Sequence, residues 1–360
     1  MVETLTADAE HVFHRRHRPV LARVRLALMT VVLAAALFAV VNLAVSGRVA
    51  VWLAASMIPP IMPLAVVILT AVPAIALPGR RRFPVVLALV GIAVTLPGCG
   101  LNPAVLAPRR PVAEGDGRPG LSVVSWNTEY WHQTDDPARF YAYLTNRDAD
   151  VYLLQEYLHV ENGVVLPIND LVALRRHFPR YRIFVSGELV TLVRDELATA
   201  KAPVQVAPDV LRVDVRVPDG QDASIYNVHI PAQLDPGLSP LSGAFYRTLN
   251  ERDRSRRQEY RALTTDLRAN TRPTVVAGDF NTSSAMGDLR SVRDLATDAG
   301  RVSRSLYPVS WSEHRPAALR LWRLDWTFLR NAEAEDYRLE SAEGMSDHAL
   351  QAITVRVGAR

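Results

Sequence analysis

Eight side chains between residues 127 and 348 are of the types that metal-assisted or acid–base hydrolysis uses: Asn127, Glu156, His229, Asp279, Asn281, Asp325, Asp347 and His348. They sit in six short motifs, in order SWN at 125–127, LLQE at 153–156, NVH at 227–229, GDFN at 278–281, LDW at 324–326 and SDH at 346–348. Carboxylates and amide carbonyls are the donors a hard divalent cation prefers. Imidazoles move protons near neutral pH. Taken singly, each residue also has a plain structural use: Asn127 could cap a turn, His229 could be a core histidine, and Asp279 with Asn281 could form an Asx-turn. A covalent mechanism has little to draw on, because the chain lacks a GxSxG elbow and its one cysteine, Cys99, lies in an apolar N-terminal segment.

The elements that must position these residues are legible from Leu121 onward. LSVVSWN, DVYLLQE, YRIFVSG, LVTLVR, LRVDVRV, ASIYNVHI, PTVVAGDFN and QAITVRV are short apolar runs that read as strands. Helical patterns lie between them at 138–146, 169–177 and about 244–268. Strands alternating with helices make an α/β arrangement, and strand ends deliver Asn127, Glu156, His229, Asp279 and Asn281 to one rim.

As an ordered set spanning Leu121 to about Val357, the six motifs resemble the endonuclease/exonuclease/phosphatase superfamily of DNase I-like fold, with GDFN and the terminal SDH the most specific elements. The resemblance implies a four-layer α/β sandwich with the active site in a cleft at one edge. It implies that Glu156 holds a divalent cation, usually Mg2+ or else Mn2+, with Asn127 and Asp347 as neighbouring metal-site residues and Glu129 as a weaker candidate. It further implies that Asp279 and Asn281 orient and deprotonate the attacking water and that His229 contacts the phosphoryl group. His348, oriented by Asp325, would stabilise the transition state or protonate the leaving oxygen. Such roles suit phosphoryl transfer, which needs charge neutralisation and in-line positioning more than a protein nucleophile.

The 360-residue chain carries a net charge of +4, distributed unevenly. The first hundred residues hold nine arginines and three acids, a surplus of six; the remainder is net −2. The basic character therefore belongs to the N-terminal part, where Leu26–Gly47, Val49–Gly79 and Phe83–Pro108 are free of charged side chains. These runs suggest about three transmembrane helices, at about 26–46, 51–77 and 83–98, the second broken by MIPPIMP at 57–63. The expected organisation is a basic cytoplasmic N-terminus (1–25), a membrane domain (26–98), a Pro/Gly linker (99–120) and a catalytic domain (121–360). Eight arginines before the first span and between the second and third, against three on the other side, place the catalytic domain outside the cytoplasm.

Charge also bears on the substrate. A nuclease usually needs a basic groove, and the cluster Arg247, Arg252, Arg254, Arg256 and Arg257 is interleaved with Glu251, Asp253 and Glu259, as a solvated, salt-bridged helix face would be. Nucleic acid is thus the less favoured partner. The membrane anchor and apolar loops carrying Leu234, Leu238, Leu241, Phe245, Trp311 and Trp322 favour a phosphorylated lipid, such as a cell-wall carrier phosphate or pyrophosphate. The arrangement also resembles actinobacterial membrane-anchored members of the superfamily, some associated with glycopeptide-antibiotic resistance. Two alternatives stand beside this expectation: a surface-anchored Mg2+-dependent nuclease acting on extracellular DNA, and a non-catalytic module that binds cell-wall precursors.

Overall fold

The computed structural model describes residues 2–107, 120–217, 220–235, 237–312, 314–316 and 319–358, with the side chains of 2–18 left aside. Of the expected basic N-terminus, Met1 and the side chains of 2–18 therefore lie outside the described residues, as do residues 108–119 of the expected linker.

Among the described residues the globular part contains fourteen strands: β1 (Leu121–Asn127), β2 (Val151–Gln155), β3 (Leu158–Glu161), β4 (Val164–Pro167), β5 (Tyr181–Ser186), β6 (Leu189–Arg194), β7 (Val204–Ala207), β8 (Val210–Arg216), β9 (Asp222–His229), β10 (Thr274–Asp279), β11 (Thr297–Asp298), β12 (Asp325–Arg330), β13 (Ala332–Glu340) and β14 (Leu350–Val357). The helices are α1 (Val2–Val45), α2 (Trp52–Ser56), α3 (Met62–Ala76), α4 (Arg82–Thr95), α5 (Pro137–Thr145), α6 (Leu171–His177), α7 (Gly243–Ala269) and α8 (Arg290–Arg293). Twelve strands form two six-stranded sheets, ordered β13-β14-β1-β2-β6-β5 and β11-β12-β10-β9-β8-β7. Val123, Val151, Leu153, Ile225, Val275 and Ile353 fill the interface between the sheets. Val124, Trp126, Tyr152 and Leu154, alternating with that set along β1 and β2, pack outward against Phe140, Leu144 and Leu174 of α5 and α6. Tyr226, Val276 and Phe328 do the same against Tyr260, Leu263 and Leu267 of α7. Helix–sheet–sheet–helix is the expected four-layer sandwich, and it follows from strands buried on both faces.

Register then fixes the site. The parallel pairing of β9 and β10 sets Asp279 opposite His229, and the antiparallel pairing of β10 and β12 sets Asp279 opposite Asp325. Parallel β1 and β2 bring Asn127 beside Gln155, one residue before Glu156. Gly278 makes the β9–β10 approach possible: its φ is +152°, and a Cβ there would sit 1.8 Å from the Val228 carbonyl oxygen. Gly278→Ala is therefore expected to destabilise the fold by on the order of 3 kcal/mol, read as a lowered thermal midpoint of the purified chain; an unchanged midpoint would show that β9 and β10 can part at no cost.

Within α1, the 27-residue segment Pro19–Val45 is long and apolar enough to cross a membrane, an 18-residue stretch of it having a mean hydropathy of 2.5. The other two expected spans are shorter apolar helices, Met62–Ala76 and Arg82–Gly98. The expected span 51–77 is not one helix: the prolines of MIPPIMP end α2, and Leu53 of α2 packs on Phe245 and Leu249 of α7 rather than continuing α3. Val32, Val67, Ala71 and Ala88 join α1, α3 and α4. The apolar helices dock on the globular part through polar contacts beside the GDFN loop. Asn42 Nδ2 donates to the Ala285 carbonyl at 3.0 Å, and the Gly287 amide donates to Ser46 Oγ at 3.1 Å. Residues 99–107, expected as linker, are partly anchored too: Asn102 Nδ2 donates to the carbonyls of Gly300 and Ser303.

Glu259 of α7 is 1 % exposed, and its Oε2 accepts the Asp209 amide at 3.3 Å. Burial, reinforced by the Asp209 carboxylate, pushes Glu259 up to about 7. A carboxyl raised above its unfolded value contributes fully below about pH 4.3 and loses that stability as pH rises through 7. Glu259→Gln is expected to leave stability unchanged near pH 4 and to raise it by on the order of 2 kcal/mol at pH 8, seen as a higher apparent melting temperature at the upper pH alone.

Candidate active site

All eight expected site residues converge on the rim where β1, β2, β9 and β10 end, and Asp279 is the hub. It is fully buried; its Oδ1 accepts the Asn281 amide at 2.7 Å, and its Oδ2 accepts Asn281 Nδ2 at 3.1 Å and Asn127 Nδ2 at 3.0 Å. The Nε2 atoms of His229 and His348 each lie 3.7 Å from the same Oδ2. One carboxylate oxygen thus faces two imidazoles. Burial pushes Asp279 above the usual carboxylate range, although both histidines oppose it.

Each histidine is held from behind by a carboxylate. His348 Nδ1 lies 2.8 Å from Asp325 Oδ2, which also accepts Ser310 Oγ at 2.6 Å. His229 Nδ1 lies 2.7 Å from Glu188 Oε1. Burial works against a charged imidazole at both positions, but the carboxylates outweigh it: His229 is pushed up to about 10 by Glu188, Asp279 and Glu156, and His348 is raised well above its ordinary value by Asp325 and Asp279. Glu188 was not among the residues singled out from sequence. It follows Gly187 in the β5–β6 turn, and no spacing links it to His229, 41 positions away. A charged residue directly after a strand–glycine turn was its one visible signal.

Glu156 follows β2 with φ +60°; its Oε1 accepts Asn127 Nδ2 and its Oε2 accepts the Tyr130 amide, both at 3.0 Å. Glu129, Tyr130 and Trp131 have positive φ in succession, so this rim concentrates backbone strain of the kind tolerated at functional sites. Asp347 joins from the opposite side. Its amide donates to Glu129 Oε2 at 2.6 Å, and its Oδ2 accepts Trp311 Nε1 at 2.8 Å. Among the described residues no hydrogen bond joins Asp347 directly to Glu156.

The donor set fits a divalent cation. Glu129 is raised by burial and by Asp347, Glu156 by burial, and the Tyr130 phenol by burial and by all three carboxylates. The groups that oppose this are imidazoles, His229 and His348 at Glu156 and His314 at Glu129 (Nε2 to Oε2, 2.8 Å), and among the described residues no arginine or lysine is ion-paired with Glu129, Glu156 or Asp347. Asn127 departs from the expected ligand role: its Oδ1 accepts the Glu129 amide at 3.0 Å, so Nδ2 faces the carboxylates and the side chain orients Glu156 and Asp279 instead. Ligand atoms of Asp279, Asp325 and His348 also lie within 4.8 Å of one another. The contact between His348 Nδ1 and Asp325, together with Ser310 on the same carboxylate oxygen, suits that trio better to holding protons. Trp311→Phe removes the donor to Asp347 and keeps most of the ring packing. It is expected to weaken Mn2+ binding about tenfold in calorimetric titration while leaving the metal-free melting temperature nearly unchanged.

Residues 124–348 match the sequence model of a family described as Endonuclease/Exonuclease/phosphatase family. No curated protein matches the chain. Among solved structures, an endonuclease/exonuclease/phosphatase from Beutenbergia cavernae is 17% identical, with a TM-score of 0.49, covering 67% of this chain and 72% of its own. An endonuclease/exonuclease/phosphatase from Bacteroides vulgatus is 15% identical, with a TM-score of 0.47, covering 66% of this chain and 98% of its own. The APE2 catalytic domain of Xenopus laevis is 13% identical, with a TM-score of 0.49, covering 67% and 94%.

Proposed function

Because the chain belongs to the endonuclease/exonuclease/phosphatase family, we propose that it is a membrane-anchored, Mg2+-dependent phosphoesterase that hydrolyses a lipid-linked phosphate or pyrophosphate outside the cytoplasm. The observation that carries the hydrolytic reading is the convergence of two carboxylate-backed histidines on the buried Asp279 oxygen. Asp279, raised by burial, takes a proton from water that Asn281 helps to orient. His229 and His348, kept charged by Glu188 and Asp325, bind the phosphoryl oxygens, and His348 gives a proton to the leaving oxygen. A divalent cation held by Glu156, with Asp347 and Glu129 beside it, supplies charge neutralisation at the phosphoryl group when bound.

Support for a lipid substrate comes from where the apolar helices dock. They contact the loops that surround the site: Asn42 and Ser46 hold residues 285–287, and Trp322, packed edge-to-face against Trp311, donates to the Met57 carbonyl at 3.0 Å. In the proposed multi-pass arrangement α1, α3 and α4 cross the bilayer, so the cleft opens where lipid headgroups are concentrated. Purified full-length chain in detergent with Mg2+, offered a panel of phospholipid, undecaprenyl and nucleic-acid substrates, is expected to release phosphate or a phosphorylated headgroup from a lipid. Cleavage confined to DNA, falling steeply with salt, would replace this reading with the nuclease one. A topology reporter fused after residue 360 is expected to report from outside the cytoplasm.

A further inference from the structure

Helix α7 places Arg247, Arg254, Arg261 and Arg268 seven residues apart, all exposed. Seven residues is close to two turns, so the four share one face and form a stripe about 30 Å long. The expectation of a salt-bridged helix face holds for Arg257, which pairs with Asp253 one turn earlier, but not for this stripe. Of the cluster read from sequence, Arg256 is fully buried, donating to the Pro231 carbonyl and Thr282 Oγ1, while Arg252 donates to the Ala232 and Leu234 carbonyls. The interleaved acids do not neutralise the stripe: Asp253 is buried and pairs with Arg257, Glu259 is buried, and Asp266 is held by Arg212. Glu251 remains the exposed acid in that stretch, and among the described residues none of the four stripe arginines is ion-paired.

The stripe borders a groove of about 1150 Å3 between α7 and the edge strand β7. Ala50 lines the same groove as Arg254 and Arg261, and it belongs to the loop that leaves the apolar helix α1. In that loop Val49 and Val51 are exposed. At the start of α7, Leu241 is 97 % exposed and Tyr246 is 46 % exposed, beside Phe245 and Leu249, which fix α7 to α2. Apolar, aromatic and arginine side chains thus follow one another outward from the end of a candidate membrane span. Surfaces of this composition lie in the headgroup region, the apolar groups entering the acyl boundary and the arginines meeting phosphates.

We propose that this face of the catalytic domain rests on the anionic leaflet in which α1 ends, with Leu241 and Tyr246 inserted and the α7 arginines against lipid phosphates. The proposal rests on the membrane-anchoring part of the functional reading and is independent of which phosphoester is hydrolysed. The continuity with Ala50 and the exposed Leu241 favour a lipid surface over a nucleic-acid strand, which would be matched by the arginines alone.

The test uses the full-length chain in nanodiscs of zwitterionic lipid, with or without about one third phosphatidylglycerol. Nitroxide labels are placed on Leu241→Cys and, as a water-facing control, on Glu196→Cys, both in a Cys99→Ala background. The label at 241 is expected to be relaxed more by oxygen than by a nickel chelate, and the label at 196 the reverse. Arg254→Glu combined with Arg261→Glu is expected to lower the oxygen preference at 241 about twofold in anionic discs and to leave it unchanged in zwitterionic ones. Indistinguishable labels at 241 and 196 in both disc types would overturn the proposal. So would duplex DNA binding that the double arginine variant weakens tenfold without moving the lipid readout. A chain that hydrolyses no lipid phosphate but shows the label at 241 in the acyl region would refute the substrate reading and uphold this one.

Discussion

Asp279→Asn is expected to lower turnover by about a thousandfold, the scale of losing a positioned general base. The carboxylate cannot be replaced in kind. Both of its oxygens accept hydrogen bonds: Oδ1 from the Asn281 amide, Oδ2 from Asn127 Nδ2 and Asn281 Nδ2. Whichever way an asparagine is turned, its NH2 group meets a donor, so a stability loss on the order of 1–2 kcal/mol should accompany the rate loss. The same substitution removes the negative charge that His229 and His348 face at 3.7 Å. His348→Ala should cost a similar factor, and the double variant little more than either alone, because the two groups act on one proton inventory. Rates on an aryl phosphodiester, with melting curves of each variant, check this; turnover within tenfold of the parent for Asp279→Asn would remove it from the role of base.

The second large effect concerns the metal. Glu156→Gln keeps the shape and can still accept from the Tyr130 amide, but it gives up the charge on the carboxyl at the centre of an acidic rim. Mn2+ affinity is expected to fall by about a hundredfold in titration calorimetry. A ligand that binds the folded chain raises its melting temperature, so the parent should gain stability with added Mg2+ and the variant should gain little. Equal Mg2+ stabilisation of both would move the cation elsewhere, with the Asp279, Asp325 and His348 trio the next place to look.

Much of this architecture was legible in the residues. The runs LSVVSWN, LVTLVR and QAITVRV became β1, β6 and β14, and the long helical pattern from about 244 to 268 became α7, Gly243–Ala269. Such segments are specified locally, by apolar continuity and turn residues. The short or polar strands were not visible. β7 and β11 are four and two residues long, and β13 reads AEAEDYRLE, so their existence depends on a partner strand rather than on their own pattern. The second apolar run looked like one broken span; packing of Leu53 on Phe245 and Leu249 decided that its first turn belongs to the globular part.

By itself the sequence determined the set of reactive groups, their order and the strand ends that carry them, because motif chemistry and strand patterning are properties of neighbouring residues. Register and packing decided the rest. Tertiary structure supplied Glu188 as the carboxylate behind His229 and turned the Asn127 amide into a donor that orients two acids. It also divided the arginine cluster of α7, burying Arg256 behind the catalytic loops and leaving Arg247, Arg254, Arg261 and Arg268 on the surface. These outcomes depend on contacts between residues tens to hundreds of positions apart, whose distances and burial no local pattern encodes.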